Sequence, residues 1–153
     1  MRRITLLLAT WGGMGYLPLA PGTWGTLGAV PLALLLGYLG KTFTFLFLPP
    51  FFFLSVWSAG VAEGKLGAED HPAIVIDEVI GFLLATALLP PRLPILILSF
   101  LLFRLFDILK PFPIRWIEGK TSGGLGVVLD DMIAGVLTQG VIRGLCLAKF
   151  LTC

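Results

Sequence analysis

The few charges of this chain stand at the ends of its apolar segments, and that placement restricts what it can fold into. Of 153 residues, 57% are hydrophobic and only 13% charged. Soluble domains carry about a quarter charged residues, so the balance reads as an integral membrane protein, a single domain over residues 1–153. The acids fall mainly in three clusters. One occupies residues 63–78 and ends Ile74-Val75-Ile76-Asp77-Glu78. Another begins Phe103-Arg104-Leu105-Phe106-Asp107 and continues through Lys110 and Arg115 to Glu118. The third is Val128-Leu129-Asp130-Asp131. Carboxylates at the edge of a hydrocarbon core cost free energy, so such residues point to function, with metal or basic partners expected.

Other classes are excluded quickly. The formal net charge of +2 is small and scattered, which offers no nucleic-acid-binding face. Cys146 and Cys153 are the only cysteines; with no histidine nearby they make neither a zinc site nor a disulfide framework, and they read as small apolar residues late in a helix. Arg2 and Arg3 precede an apolar run, residues 4–9, that is too short for a signal-peptide core. The start of the chain is expected to be retained on the cytoplasmic side.

Five apolar segments predict an all-α fold, a small polytopic membrane bundle of about five membrane-embedded helices, some short or kinked. They are residues 26–39; 42–62, with a kink expected at Pro49-Pro50; 72–89, with Asp70 as N-cap; 95–109, stopped by Pro111; and about 126–150. The first and fourth are short for a core of about 30 Å, so they should tilt or insert partly. The run Pro90-Pro91-Arg92-Leu93-Pro94 decides the topology. One continuous span through it would bury Arg92 near mid-membrane, at a cost of at least ~2.5 kcal/mol. A hairpin turn lets Arg92 reach water and puts Asp77 and Asp107 on one side. That side then holds Arg2, Arg3, Lys65, Arg104, Lys110, Arg115 and Lys120. The positive-inside rule makes it cytoplasmic.

The acid pairs suggest the chemistry. Asp77-Glu78 and Asp130-Asp131 are each expected near a helix start, with Gly81 and Gly135 four residues after Asp77 and Asp131 to admit a close backbone neighbour. Adjacent helical residues diverge by ~100°, so one carboxylate of each pair should point inward and its neighbour stand behind it or on a second ion. Asp107 is counted with these candidate ligands. Oxygen donors without His or Cys suit Mg²⁺ or Mn²⁺. Helix-start acids facing solvent are the plainer explanation for one pair, and a weaker one for two pairs in apolar helices beside basic residues. Arg104 interrupts an apolar run where a bland helix would carry a hydrophobe, although Arg and Lys at interfaces also snorkel. Gly123 and Gly124 lead into the last helix, and the stretch around Thr23 enters the first; both could present backbone N–H groups to a phosphate. Arg104, Lys110 and Arg115 add positive charge. Together these describe a site for a phosphorylated lipid head group.

Several phosphatase chemistries are absent. Position 152, six after Cys146, is Thr rather than the Arg of a cysteine-phosphatase loop; His71 is the only histidine; and no Asp-x-Asp occurs. Metal-assisted attack by water remains. His71, near Asp77, could protonate a leaving oxygen or merely cap the third helix.

These residues resemble the phosphatidylglycerophosphatase A family nearly end to end. The likeness rests on Pro21-Gly22-Thr23-Trp24-Gly25-Thr26-Leu27, on His71 with Ile74-Val75-Ile76-Asp77-Glu78 and Gly81, on Phe103-Arg104-Leu105-Phe106-Asp107 with Lys110-Pro111-Phe112-Pro113-Ile114-Arg115-Trp116, and on Gly123-Gly124-Leu125-Gly126 with Asp130-Asp131 and Ala134-Gly135. The resemblance implies a Mg²⁺-dependent enzyme of the bacterial inner membrane, multi-pass, that converts phosphatidylglycerophosphate to phosphatidylglycerol on the cytoplasmic side. It implies a lipid substrate among bilayer lipids and no nucleic-acid partner. Two alternatives stay open. A small ion transporter would place its charges nearer mid-span. A metal-dependent head-group transferase of the CDP-alcohol type would show an Asp-Gly…Ala-Arg pattern, which is missing.

Overall fold

The computed structural model describes residues 2–68 and 70–152, and of Arg2 and Glu118 the backbone alone; Met1, Glu69 and Cys153 lie outside the described residues. Among the described residues there is no strand. Seven α-helices follow one another: α1 (Arg2–Ala9), α2 (Pro21–Leu39), α3 (Lys41–Leu66), α4 (Ile76–Thr86), α5 (Leu93–Leu109), α6 (Ile114–Glu118) and α7 (Gly123–Leu147), with one 3-10 turn at Met14–Tyr16.

The hub is α4. Its sequence is apolar around most of its circumference, and a helix of that kind has to be covered on all sides. It packs against α2, α3, α5 and α7, and Ile76, Asp77, Val79, Ile80, Gly81, Phe82, Leu83 and Ala85 are all buried. At 11 residues it is only ~16 Å long, shorter than the 72–89 helix read from the sequence. Both ends are cut by tertiary bonds. At the start, the Val75 N–H donates to the Ala9 carbonyl at 2.9 Å, and Ile74 donates to His71 at 2.8 Å, so residues 71–75 form a braced loop. Val75 is the N-cap and no side chain caps the helix, so Asp70 does not have the expected role. At the far end the Gln139 side-chain amide donates to the Leu84 carbonyl, at 3.2 Å, and to that of Ala87. These are carbonyls a longer helix would have satisfied within itself.

Among the described residues three helices, α2, α3 and α7, are long and apolar enough to cross a membrane. The five expected membrane segments thus resolve into three such helices, the buried α4 and the 17-residue α5. Helix α3 is assigned as one helix through Pro49 and Pro50. Leu35, Phe45, Phe53, Ile97, Leu101 and Val136 are exposed, as expected of a surface that meets lipid rather than water. The stretch 110–125, expected as a loop, contains α6, with Phe112 and Trp116 exposed and the Lys120 ammonium 3.7 Å above the Trp116 ring. Cys146 is disulfide-bonded rather than a plain apolar residue.

Helices α4 and α5 form the expected hairpin. Glu78, at the start of α4, lies 3.7 Å from Arg104 near the end of α5. Arg92, in the turn between them, donates to the Thr152 carbonyl at 2.7 Å beyond the end of α7. The starts of α4 and α7 and the end of α5 therefore share one end of the bundle.

Helices α4 and α7 approach through glycine. A Cβ on Gly135 would lie 2.3 Å from the Gly81 carbonyl oxygen, and one on Gly81 would lie 2.7 Å from the Asp131 carbonyl oxygen. Backbone atoms cannot yield as a flexible side chain can. Gly135→Ala is therefore expected to lower the thermal unfolding midpoint in detergent, at an overpacking cost of about 1–3 kcal/mol. Gly140→Ala, in open space, should leave it unchanged or higher, because Ala favours helix over Gly. Equal midpoints for the two variants would reject the close contact.

Candidate active site

Asp77 and Glu78 are the second and third residues of α4, whereas Asp131 is the ninth of α7. Because α7 begins at Gly123, its acid pair lies ~10 Å into the helix, not near its start as the sequence suggested. The Gly81–Gly135 contact stands one helical turn beyond Asp77 and Asp131, so the close backbone approach also sets these acids across from each other. One carboxylate oxygen from each of Asp77, Glu78 and Asp131 lies within 4.8 Å of the others. Asp77 is 6% exposed and Asp131 3%. Asp77 Oδ1, Glu78 Oε2 and Asp131 Oδ2 are buried with no hydrogen-bond donor.

Three carboxylates crowded out of water repel one another and lose hydration, an arrangement that asks for positive charge. The donor set is all oxygen, and each member keeps a free buried lone pair. It fits a hard divalent cation of the Mg²⁺ or Mn²⁺ kind. Both members of the Asp77-Glu78 pair contribute, against the expectation of one per pair, because the longer Glu side chain can reach back across the angle between neighbours.

Arg104 stands beside this cluster. Its Nη1 lies 2.7 Å from Asp107 Oδ2 and 3.7 Å from Glu78 Oε1, and donates weakly to Thr26 Oγ1 at 3.5 Å. Its Nε is buried with no acceptor. The Pro21–Thr26 stretch is the first turn of α2 rather than a loop. A Cβ on Gly22 would meet Glu78 Oε1 at 2.0 Å and Arg104 Nη1 at 3.0 Å, so any larger residue there would have to displace these two side-chain ends. Thr23 is half-buried on the same turn.

Asp130 and Lys110 form a second group. Lys110 ends α5 in the left-handed conformation (φ 44), and its Nζ donates to Asp130 Oδ2 at 2.7 Å. Asp130 Oδ1 accepts the Asp131 amide at 3.0 Å. Asp130, expected among the candidate ligands, is paired with Lys110 and is not one of the three clustered carboxylates. It lines a cavity of about 180 Å³ together with Glu63, Asp70 and Gly123. Gly124 is a packing residue: its Cβ would lie 2.3 Å from the Val56 carbonyl oxygen and 2.4 Å from Gly60 N on α3. His71 is half-buried and its Nδ1 accepts the Ala73 amide at 3.1 Å, which stiffens the loop into α4. Arg115 is exposed on α6 and lines an open groove with Lys110, Phe112 and Trp116.

Four residues went unassigned in the sequence. Gly22 and Thr26 abut Glu78 and Arg104, and their i, i+4 spacing on one helix face was the available signal. Glu63 is buried, and its Oε1 accepts the Asp70 amide at 3.0 Å. Gly15, whose Cβ would collide with the Ala73 carbonyl oxygen at 2.0 Å, supports the loop before Asp77; nothing local in the sequence marked it.

Fold and site define an all-helical membrane protein with an acidic, cation-competent cluster flanked by Arg and Lys at one end of the bundle. The phosphatidylglycerophosphatase A family profile matches residues 7–146. The chain belongs to that family. A phosphatidylglycerophosphatase A of Haemophilus influenzae is 38% identical over 138 residues, covering 89% of this chain and 85% of the relative. That of Escherichia coli K12 is 34% identical over 137 residues, covering 89% and 80%. A protein of Bacteroides thetaiotaomicron, provisionally named a phosphatidylinositol-3-phosphatase, is 36% identical and covers 87% of each chain. No solved structure matches the chain.

The geometry separates the two aspartates of α7. Mn²⁺ titrated into the purified protein should give a bound electron paramagnetic resonance spectrum that Asp77→Asn and Asp131→Asn abolish. Asp130→Asn should retain it, with affinity reduced by no more than the ~10–100-fold typical of a supporting residue. Loss with Asp130→Asn and retention with Asp131→Asn would reverse the assignment.

Proposed function

We propose that this chain is a phosphatase of the bacterial inner membrane that hydrolyses the terminal phosphomonoester of phosphatidylglycerophosphate at the cytoplasmic face. The products are phosphatidylglycerol and inorganic phosphate. The observation that carries this reading is a pair of unmet needs side by side: Arg104 Nε buried without an acceptor, and oxygens of Asp77, Glu78 and Asp131 buried without a donor. A phosphate dianion and a divalent cation would complement both. The names of the Haemophilus and Escherichia relatives supply the lipid.

Mg²⁺ or Mn²⁺ held by Asp77, Glu78 and Asp131 would supply Lewis-acid stabilisation of the charge that develops on the phosphoryl oxygens. The protein groups do the rest. Arg104 orients the terminal phosphate, with Asp107 fixing its guanidinium through the 2.7 Å ion pair. Lys110, paired with Asp130 at 2.7 Å, supplies a second positive charge at this end of the bundle. Asp107 and Asp130, first read as ligands, become the residues that aim these two cations. Arg115, on the exposed rim with Phe112 and Trp116, faces the lipid's phosphodiester; the two rings suit an amphipathic position at the head-group level. The basic residues on this end of the bundle support a cytoplasmic orientation. The grouping of charge at one end disfavours a transporter.

Three experiments test the reading. Purified protein should release phosphate from phosphatidylglycerophosphate only with Mg²⁺ or Mn²⁺ present, and faster than from phosphatidylinositol 3-phosphate. Full turnover in excess chelator would remove the metal; preference for the inositol lipid would move the chain to the substrate named for the Bacteroides relative. Arg104→Lys keeps the charge but loses the planar fork, and should cost on the order of 100-fold in kcat with unchanged folding. For orientation, single cysteines are introduced with both native cysteines replaced by alanine. Lys65→Cys and Lys120→Cys should label only from the cytoplasmic side, and Lys41→Cys and Arg92→Cys only from the other. Labelling of positions 65 and 120 from opposite sides would overturn the shared face.

A further inference from the structure

A cavity of about 780 Å³ lies not at the carboxylate cluster but at the other end of the bundle. It opens where α2 passes into α3, beside the turn after α4 and the last residues of α7. Leu36, Leu88, Leu89 and Leu147 contribute apolar walls, and Lys41 and Arg143 are its charged residues. Both cations are exposed, and among the described residues neither has an acidic partner.

The walls are built rather than left over from loose packing. Gln139 of α7 holds the carbonyls of Leu84 and Ala87, fixing the turn that carries Leu88 and Leu89. Gly37 lets that turn press on α2, since a Cβ there would lie 2.9 Å from the Pro91 ring. Thr44 Oγ1 donates to the Leu36 and Gly40 carbonyls at 3.2 Å, tying the start of α3 to the end of α2. The volume is in the range of small-molecule and lipid sites.

Two unpaired cations over an apolar pocket at a membrane end match one ligand chemistry, a head group with net negative charge above hydrocarbon. A zwitterionic head group offers Lys41 and Arg143 no net negative charge. We propose that this pocket binds an anionic phospholipid of the leaflet at that end, its phosphate on Lys41 and Arg143 and the upper part of an acyl chain on the leucines. The site is distinct from the carboxylate cluster: α5 runs from Leu93, at the turn beside the pocket, to the Arg104–Asp107 pair over a rise of ~16–21 Å. The inference does not depend on the reaction proposed above.

Native mass spectrometry of the purified, delipidated protein tests it, with phosphatidylserine as the anionic probe and phosphatidylcholine, of the same acyl chains, as the zwitterionic one. The first phosphatidylserine should bind roughly tenfold or more tightly than phosphatidylcholine, in the parent and equally in Arg104→Ala. The double variant Lys41→Gln/Arg143→Gln should lose that preference. Leu88→Trp, which fills the pocket and leaves both charges, should lose the lipid itself. Equal binding of the two lipids by the parent, a preference that survives the double substitution, or one abolished by Arg104→Ala would each overturn the proposal. The last outcome would place the bound lipid at the carboxylate end.

Discussion

Everything at the charged end depends on how closely α4 and α7 approach. Two helices meeting through ordinary side chains stand about 8–10 Å apart. Here Gly81 and Gly135 remove the side chains at the crossing, and each backbone rests on the other. The acids one turn back are then drawn to within 4.8 Å of shared ligand distance. With larger residues at the crossing, Asp77 and Asp131 would be two isolated buried acids on separate helices. The same contact makes α4 the buried hub, since α2, α3 and α5 close around the faces that α7 leaves open.

A cluster of buried carboxylates is unstable by itself, and the surrounding elements answer it in layers. Arg104 and Lys110 bring positive charge from α5, each matched to an acid of its own, Asp107 and Asp130. Glycines let backbone reach the cluster: Gly22 seats α2 on Glu78 and Arg104, and Gly15 supports the loop carrying Ala73. Even so, acceptors on three acids and one guanidinium donor stay unpaired. Buried polar groups are normally satisfied, and of the five exceptions among the described side chains four gather at one point, the fifth being Ser99 Oγ on α5. That coincidence favours a binding site over a structural ion-pair network.

The two ends of the bundle are chemically unlike. One concentrates acids and bases; the other holds a cavity of about 780 Å³ walled by leucines and bearing two cations. The lengths of α4 and α5 separate them, and the turn of residues 87–92 that joins these helices at the cavity end is fixed by Gln139. A lipid enzyme has to hold its lipid surroundings as well as its reacting phosphate, and the far cavity offers a second grip at a distance from the chemistry.

The sequence by itself determined the class and the cast. An apolar chain with charges confined to segment ends has to be a membrane bundle, because unpaired backbone and charge are too costly in hydrocarbon for other arrangements. The three prolines at 90–94 and the cost of burying Arg92 were enough to give the hairpin, and the long motifs were enough to give the family. What the sequence did not hold was the pairing within each acid doublet. Asp130 and Asp131 are alike as letters; their roles are set by which faces Gly81 and which faces Lys110, a matter of helix rotation and of a left-handed turn at residue 110. The length of α4 was likewise hidden, because its ends are set by the Ala9 carbonyl and by Gln139, groups distant in the chain. Local pattern decides what a segment is and where it prefers to lie. Long-range backbone contact decides which of its side chains meet.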